Sequence, residues 1–287
     1  MFFISTTTLL FVMCVVLSSA NGLTITTAEQ LVTFSNDVNK GTSYYGSTIY
    51  LGSDIEFTSS LSNQFHPIGK DETNYFNGTF DGQGHVISKL AIINPATSLY
   101  TGLFGYSKDA TIRNVVMDSS CFVNTLSSAN KPAYVGSIVG CFNTAENGFL
   151  IEGCVNMGSI TFKGDSESQI LCLGGIAGDL YYSSVHPITI RNCVNYGAIE
   201  KTGKSYSTWV GGVIGLISIE DCYNYLQNCA NYGSISHSGS TSHSLGLGGI
   251  TGNAGKAKIE NCLSAGKITS SNYPSSEKKT GGCCGMG

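Results

Sequence analysis

The sequence predicts an all-β chain, a parallel β-helix solenoid in which short strands stack coil upon coil. Two recurrences and one compositional fact predict it. A glycine-bracketed block returns six times, at Thr101–Gly105, Gly136–Gly140, Gly174–Gly178, Gly211–Gly215, Gly248–Gly252 and Gly281–Gly285, its closing glycines 35, 38, 37, 37 and 33 residues apart. A fixed period of about 37 residues marks stacked units, none of which buries its apolar side alone. A second block recurs inside the units: Ile112-Arg113-Asn114-Val115, Ile151-Glu152-Gly153-Cys154, Ile190-Arg191-Asn192-Cys193, Leu226-Gln227-Asn228-Cys229 and Ile259-Glu260-Asn261-Cys262. Finally, 36 of 287 residues are glycine and 12% are charged, while 41% are apolar. That composition supplies a long core and many turns, and it excludes a disordered chain.

The columns of the second block define one coil. The first position is Ile or Leu and faces a core. The second, Arg113, Glu152, Arg191, Gln227 and Glu260, faces water. The third, Asn114, Gly153, Asn192, Asn228 and Asn261, holds the two residue types that tolerate left-handed backbone, so the chain bends there. A bend lets the residues on both sides point inward, which straight-strand alternation forbids. The fourth column stacks Cys154, Cys193, Cys229 and Cys262. Parallel side chains on adjacent rungs stay about 4.8 Å apart, and a disulfide prefers Cβ atoms about 3.8 Å apart. A ladder of buried thiols is therefore expected rather than bridges. Arg113, Glu152 and Arg191 should form an outer ladder of alternating sign, Asn156, Asn195 and Asn231 an amide ladder, and Tyr196 and Tyr232 a stacked pair.

The elements follow in order. Residues 1–22 carry an apolar stretch, Leu9–Leu17, followed by the small residues Ser18-Ser19-Ala20. This reads as a secretory signal peptide, too short for a membrane span of about 20 residues. The mature chain is expected in an extracellular or cell-surface setting. Eleven cysteines include Cys14, so ten remain in an oxidising compartment. Outside the ladder column lie Cys121, Cys141, Cys172, Cys222, Cys283 and Cys284, among which bridges are expected without an assigned pairing. Residues 23–98 form a leading region with the first rungs. Within it, residues 27–41 read as an amphipathic helix, with Leu31, Phe34 and Val38 on one face and Gly41 as its stop. Thr26 with Glu29, or Thr27 with Gln30, offers a capping box. A helix at this place suits the capping of an otherwise open strand edge. Residues 99–287 are the repeats. The last is incomplete, so its end is expected to meet another copy or a further module.

Pro67-Ile68-Gly69, Phe76-Asn77-Gly78-Thr79-Phe80-Asp81-Gly82-Gln83-Gly84-His85 and the glycine blocks beginning with Gly102-Leu103-Phe104-Gly105 resemble secreted GLUG-repeat proteins. The resemblance spans nearly all of the chain after its leader. It implies a right-handed parallel β-helix, adhesin-like and displayed outside the cell. Some relatives carry a metallopeptidase domain, but the His-Glu-x-x-His pattern is missing here, so that activity is not carried over.

The net charge of −4 gives no basic excess for neutralising phosphates, which argues against nucleic acid as a partner. Asp81 with His85 is the most site-like cluster, a weak alternative site, since a glycine-supported turn between rungs is the better account of it. The closest acidic pairs are Asp54 with Glu56, Asp71 with Glu72, and Asp165 with Glu167. Asn77-Gly78-Thr79 is an N-glycosylation sequon. No Cys-x-x-Cys spacing marks a zinc site, and no catalytic set, cofactor or metal ligand is assigned. Residues 236–244 read as an exposed polar loop. They join 124–132, 163–169 and 201–208 as candidate contact loops. The expectation is a non-enzymatic β-helix that binds an extracellular glycan or protein. A polysaccharide-cleaving enzyme on the same fold and a stalk of a larger surface protein are the alternatives.

Overall fold

The structure is a computed structural model that describes residues 22–94, 99–126, 131–144, 146–183, 186–218, 224–271 and 278–281. The leader at 1–21, Cys222, Cys283, Cys284 and the chain end at Gly287 lie outside the described residues. One coil consists of five strands, Thr111–Arg113, Val116–Met117, Phe122–Leu126, Ala133–Gly136 and Val139–Thr144. Each pairs in parallel with its counterparts in the coils before and after. The result is an all-β parallel solenoid whose described residues form five sheets, called faces 1 to 5 in that order, of eight, seven, six, six and five strands.

The register explains the repeat. Ile112, Ile151, Ile190, Leu226 and Ile259 are successive partners on face 1, and the first four are at most 1% exposed. Two residues later Asn114, Gly153, Asn192, Asn228 and Asn261 all take positive φ, between 53° and 62°. This left-handed residue turns the chain from face 1 to face 2, so that Cys154, Cys193 and Cys229 also point into the core. Just beyond, Asn156, Asn195 and Asn231 are buried and linked amide to amide, Nδ2 donating to the next Oδ1 at 2.8 Å. A stacked amide column satisfies its own polar atoms while locking register, since a slip by one residue would break every link. On the surface, the Tyr196 and Tyr232 rings stack 5.1 Å apart.

The glycine blocks make the corner between faces 4 and 5, where the two sheets come within backbone contact. A Cβ on Gly178 would sit 2.4 Å from Val135 N, and one on Gly215 2.6 Å from Leu173 N. The second glycine of the block faces the amide column instead. A Cβ on Gly175 would fall 2.3 Å from Asn195 Cγ, and one on Gly212 2.2 Å from Asn231 Cγ. Gly215→Ala is therefore expected to cost about 1–3 kcal/mol, because the obstructing atoms are backbone held on both sides. A lowered urea midpoint with an unchanged slope would show this. An unaltered midpoint would mean that the sheets separate freely.

The first helix, α1, runs Ala28–Asn39, capped by Thr27. Gln30 N–H donates to Thr27 Oγ1 at 3.3 Å, and Gln30 Oε1 accepts from Thr26 N–H at 2.7 Å. Leu31, Phe34 and Val38 are buried, and the Phe34 ring lies 5.8 and 6.0 Å from those of Phe76 and Phe80 in the first coil. The helix thus extends the solenoid core at its leading end. A second short helix, Ser59–Ser62, has no period long enough to be read from sequence.

Two features depart from the expectations. Residues 201–208 and 236–244 are not simply solvated loops. Phe162, Lys201, His237 and Ser270 are register partners on face 3, and Lys201 and His237 are 0% and 2% exposed. Ser205, Thr208 and Thr241 are buried beside them, joined by hydroxyl contacts of 2.7 and 3.1 Å. Inward alternation places these polar residues inside, where they satisfy one another. The second departure concerns cysteine. Cys121, Cys141 and Cys172 form no disulfide. Cys121 lies in the main core. Cys141 and Cys172 belong to a separate small cluster between faces 5 and 4, with Tyr100, Tyr106 and Tyr134.

Candidate functional site

Face 1 alternates inward Ile with two outward columns. The second of them runs Asp81, Arg113, Glu152, Arg191, Gln227 and Glu260. Its charges are paired. Arg113 Nε donates to Asp81 at 2.8 Å and Arg191 Nε to Glu152 at 2.7 Å, while Glu260 pairs with Lys258 at 2.7 Å and accepts from Gln227 Nε2 at 2.8 Å. The first column holds Thr48, Thr79, Thr111, Leu150 and Thr189 on successive rungs. Beside it run the corners that bring the chain from face 5 back to face 1. Asp109, itself at positive φ, shapes one of them by accepting from the N–H groups of Glu146 and Asn147 at 3.1 and 3.3 Å.

Between the threonine column and these corners lie two hollows. One, of about 240 Å³, is lined by Tyr45, Thr48, Asn77, Thr79, Asp109 and Thr111 among others. The other, of about 370 Å³, is lined by Thr111, Asn147, Leu150, Pro187, Thr189 and Arg191 among others. They share Thr111, so together they follow the solenoid axis over several rungs. The lining offers hydroxyls, amides, one carboxylate, one guanidinium and the exposed ring of Tyr45. Such a groove suits a long polar ligand, one contact set per rung of about 4.8 Å. Sequence reading did not single it out. The signal was present in Thr111-Ile112-Arg113 and Thr189-Ile190-Arg191, but the overhanging corners that make the groove have no repeating sequence.

The residues singled out from sequence fall as follows. Asp81 and His85 are committed to different partners. Burial raises the Asp81 carboxyl, but hydrogen bonds from Asn114, Gln83 N–H and Arg113 outweigh it and hold the group below the usual carboxylate range. His85 Nδ1 lies 3.2 Å from Asp54, which also accepts from Val86 N–H. That backbone bond first, and His85 second, lower the Asp54 carboxyl. Glu56 pairs with Lys89 and Glu167 with Lys204, while Asp71 accepts from the N–H groups of Thr73 and Asn74 in its own turn. Asn77, with its amide oriented to satisfy both atoms, donates to Lys108 and Asp109 carbonyls at 3.0 and 3.2 Å. Cys154, Cys193 and Cys229 are buried and Cys262 is half-buried, all as free thiols. Among the described residues no three His, Cys, Asp or Glu side chains converge as metal ligands, and no helix is long and apolar enough to cross a membrane.

Three buried titratable groups were not anticipated. Asp179 is 1% exposed and accepts from Ser218 Oγ at 2.9 Å. Burial drives its carboxyl up to about 7. Lys201 donates to the Gly203 carbonyl at 2.9 Å and lies 3.5 Å from His237 Nε2. Burial pushes the amine down to about 8 and, with the Lys201 charge as second cause, the His237 imidazole down to about 4.

Comparison with known proteins bears on the fold. No family model matches the chain, and no curated protein matches it. A similar solved structure is that of a Bacteroides ovatus protein described as a "putative immunoglobulin A1 protease". The two share 19% identity with a TM-score of 0.54, over 93% of this chain and 83% of that one. The likeness supports the β-solenoid architecture, and at that identity it concerns architecture alone.

Proposed function

We propose that this chain is a secreted or cell-surface, GLUG-like β-helix that binds an extended extracellular glycan along face 1 and acts in adhesion, not catalysis. The observation that carries this reading is the pair of hollows meeting at Thr111 and aligned with the threonine column. A solenoid repeats one outward chemistry at each rung, and a polysaccharide repeats one ring at each step, so several weak contacts act together. Hydroxyl and amide side chains suit sugar hydroxyls, and Tyr45 supplies a face for a ring. The non-enzymatic part of the reading draws support from the carboxylates. Those in the closest acidic pairs and at Asp81 are largely spent on ion pairs and turn caps rather than gathered on one rung.

Binding of the mature chain to a panel of soluble polysaccharides tests the reading. Thr111→Arg, which fills the junction of the two hollows, is expected to weaken binding by tenfold or more, about 1.4 kcal/mol. Tyr196→Ala, on the corner after face 2, is expected to leave it unchanged. Equal losses in both variants, or no polysaccharide retained by the parent chain, would sink the proposal.

A further inference from the structure

The cysteine column has a geometry with its own chemical consequence. Cys154, Cys193, Cys229 and Cys262 occupy one position on four successive coils, directly after the left-handed residue. Each thiol reaches back to the carbonyl of the preceding coil, Cys154 to Ile112, Cys193 to Ile151, Cys229 to Ile190 and Cys262 to Leu226, at 3.5–3.9 Å. The sulfurs therefore form a continuous file parallel to the solenoid axis, three of them buried and Cys262 half-exposed toward the later coils.

We propose that this file is a binding site for soft monovalent cations of the copper(I) or silver(I) class, held in linear two-coordination between successive thiols. A metal–thiolate bond is about 2.3 Å, so a linear sulfur–metal–sulfur bridge spans about 4.6 Å, near the rung step of about 4.8 Å. A disulfide would need the same sulfurs drawn to about 2.05 Å, against the ladder that fixes both strands. Each sulfur can carry one such linear bridge along the axis, so the four thiols pair as Cys154 with Cys193 and Cys229 with Cys262. Zinc does not fit, because it demands four ligands in a tetrahedron and only two sulfurs meet at each gap. Soft sulfur ligands favour copper(I) over harder ions.

The balance suits a buried site. One cation entering between two thiols displaces one proton, giving RS–M–S(H)R and a free proton, so the assembly stays neutral. A second cation enters between the other pair of thiols by the same exchange. No net charge is created in the core, so the large penalty for burying an unpaired ion does not arise.

Silver(I) titration of the folded, reduced mature chain under anaerobic conditions tests the site. Cys283→Ser and Cys284→Ser are made first, so that this vicinal pair does not compete. Native mass spectrometry is expected to show uptake of up to two ions, one for each pair of thiols, with one proton released per ion and a rising thiolate-to-metal ultraviolet band. Cys193→Val with Cys229→Val leaves no two adjacent sulfurs and is expected to abolish uptake, while circular dichroism reports whether the solenoid persists. Cys141→Val with Cys172→Val removes two buried thiols elsewhere and is expected to change nothing. Equal uptake by both double variants, no uptake by the parent, or alkylation showing disulfides within the column would overturn the proposal.

Discussion

Asp179→Asn is expected to make the protein more stable at pH 8 and to flatten the dependence of its stability on pH. Asp179 is buried, and its carboxyl has been driven up to about 7 from an ordinary value of 3.8. Between those two values the folded chain holds a proton that the unfolded chain has released. Stability therefore falls as pH rises from about 4 to about 7, by on the order of 4 kcal/mol in all. Below pH 4 both states are protonated and the effect is absent. Asparagine keeps the shape and can still accept from Ser218 Oγ, but it has no proton to lose. Urea unfolding of both proteins at pH 5 and pH 8 measures the difference. Parallel pH profiles would show that Asp179 is not the source.

Lys201→Met should stabilise the chain at neutral pH, by about 1–4 kcal/mol, the range found when buried ions give way to apolar groups of like volume. The amine is fully buried, and its hydrogen-bonding partners are a carbonyl and an imidazole, with no carboxylate among them. Both bases are depressed by burial, so the unfolded chain takes up protons more readily than the folded one. The Lys201 contribution is lost as pH falls from about 10.5 to about 8, and the His237 contribution as pH falls from about 6.5 to about 4. The imidazole alone accounts for on the order of 3 kcal/mol of acid sensitivity. Removing the Lys201 charge should lift the His237 imidazole and shift acid unfolding to lower pH. A variant that loses stability at pH 7, as an ordinary core truncation does, would contradict this account.

The solenoid was legible because its determinants are periodic. Ile112, Ile151 and Ile190 say where the core is, and the Asn–Gly column says where the chain turns. Helix α1 was legible because Leu31, Phe34 and Val38 keep one period and Thr27 precedes them. What escaped was non-periodic or of the wrong polarity. Ser236-His237-Ser238 alternates as a strand should, but its inward member is a histidine, so the run reads as a loop until Lys201 and Ser270 are placed beside it. Asp179 is hidden for a similar reason, since its rung neighbours on face 5 are Cys141 and Leu216 and no column announces a carboxyl. The groove depends on corners near Tyr45, Asp109, Asn147 and Pro187, which share no residue type. A hollow made by unlike loops over a regular sheet can only be seen once the coils are stacked.

The paired charges along face 1 have a kinetic consequence. With Asp81 matched to Arg113 and Glu152 to Arg191, this face projects little field beyond a few ångströms. Encounter with a ligand is then left to unguided diffusion, nearer 10⁵–10⁶ M⁻¹ s⁻¹ than the rates reached by steered partners. Ionic strength should barely alter that rate, because there is little attraction for salt to screen. Under the proposed glycan-binding reading, retention rather than capture supplies the strength of attachment. A chain held at many rungs leaves one rung at a time, and each local release is refilled before the next, so the number of coils engaged sets the lifetime of the contact.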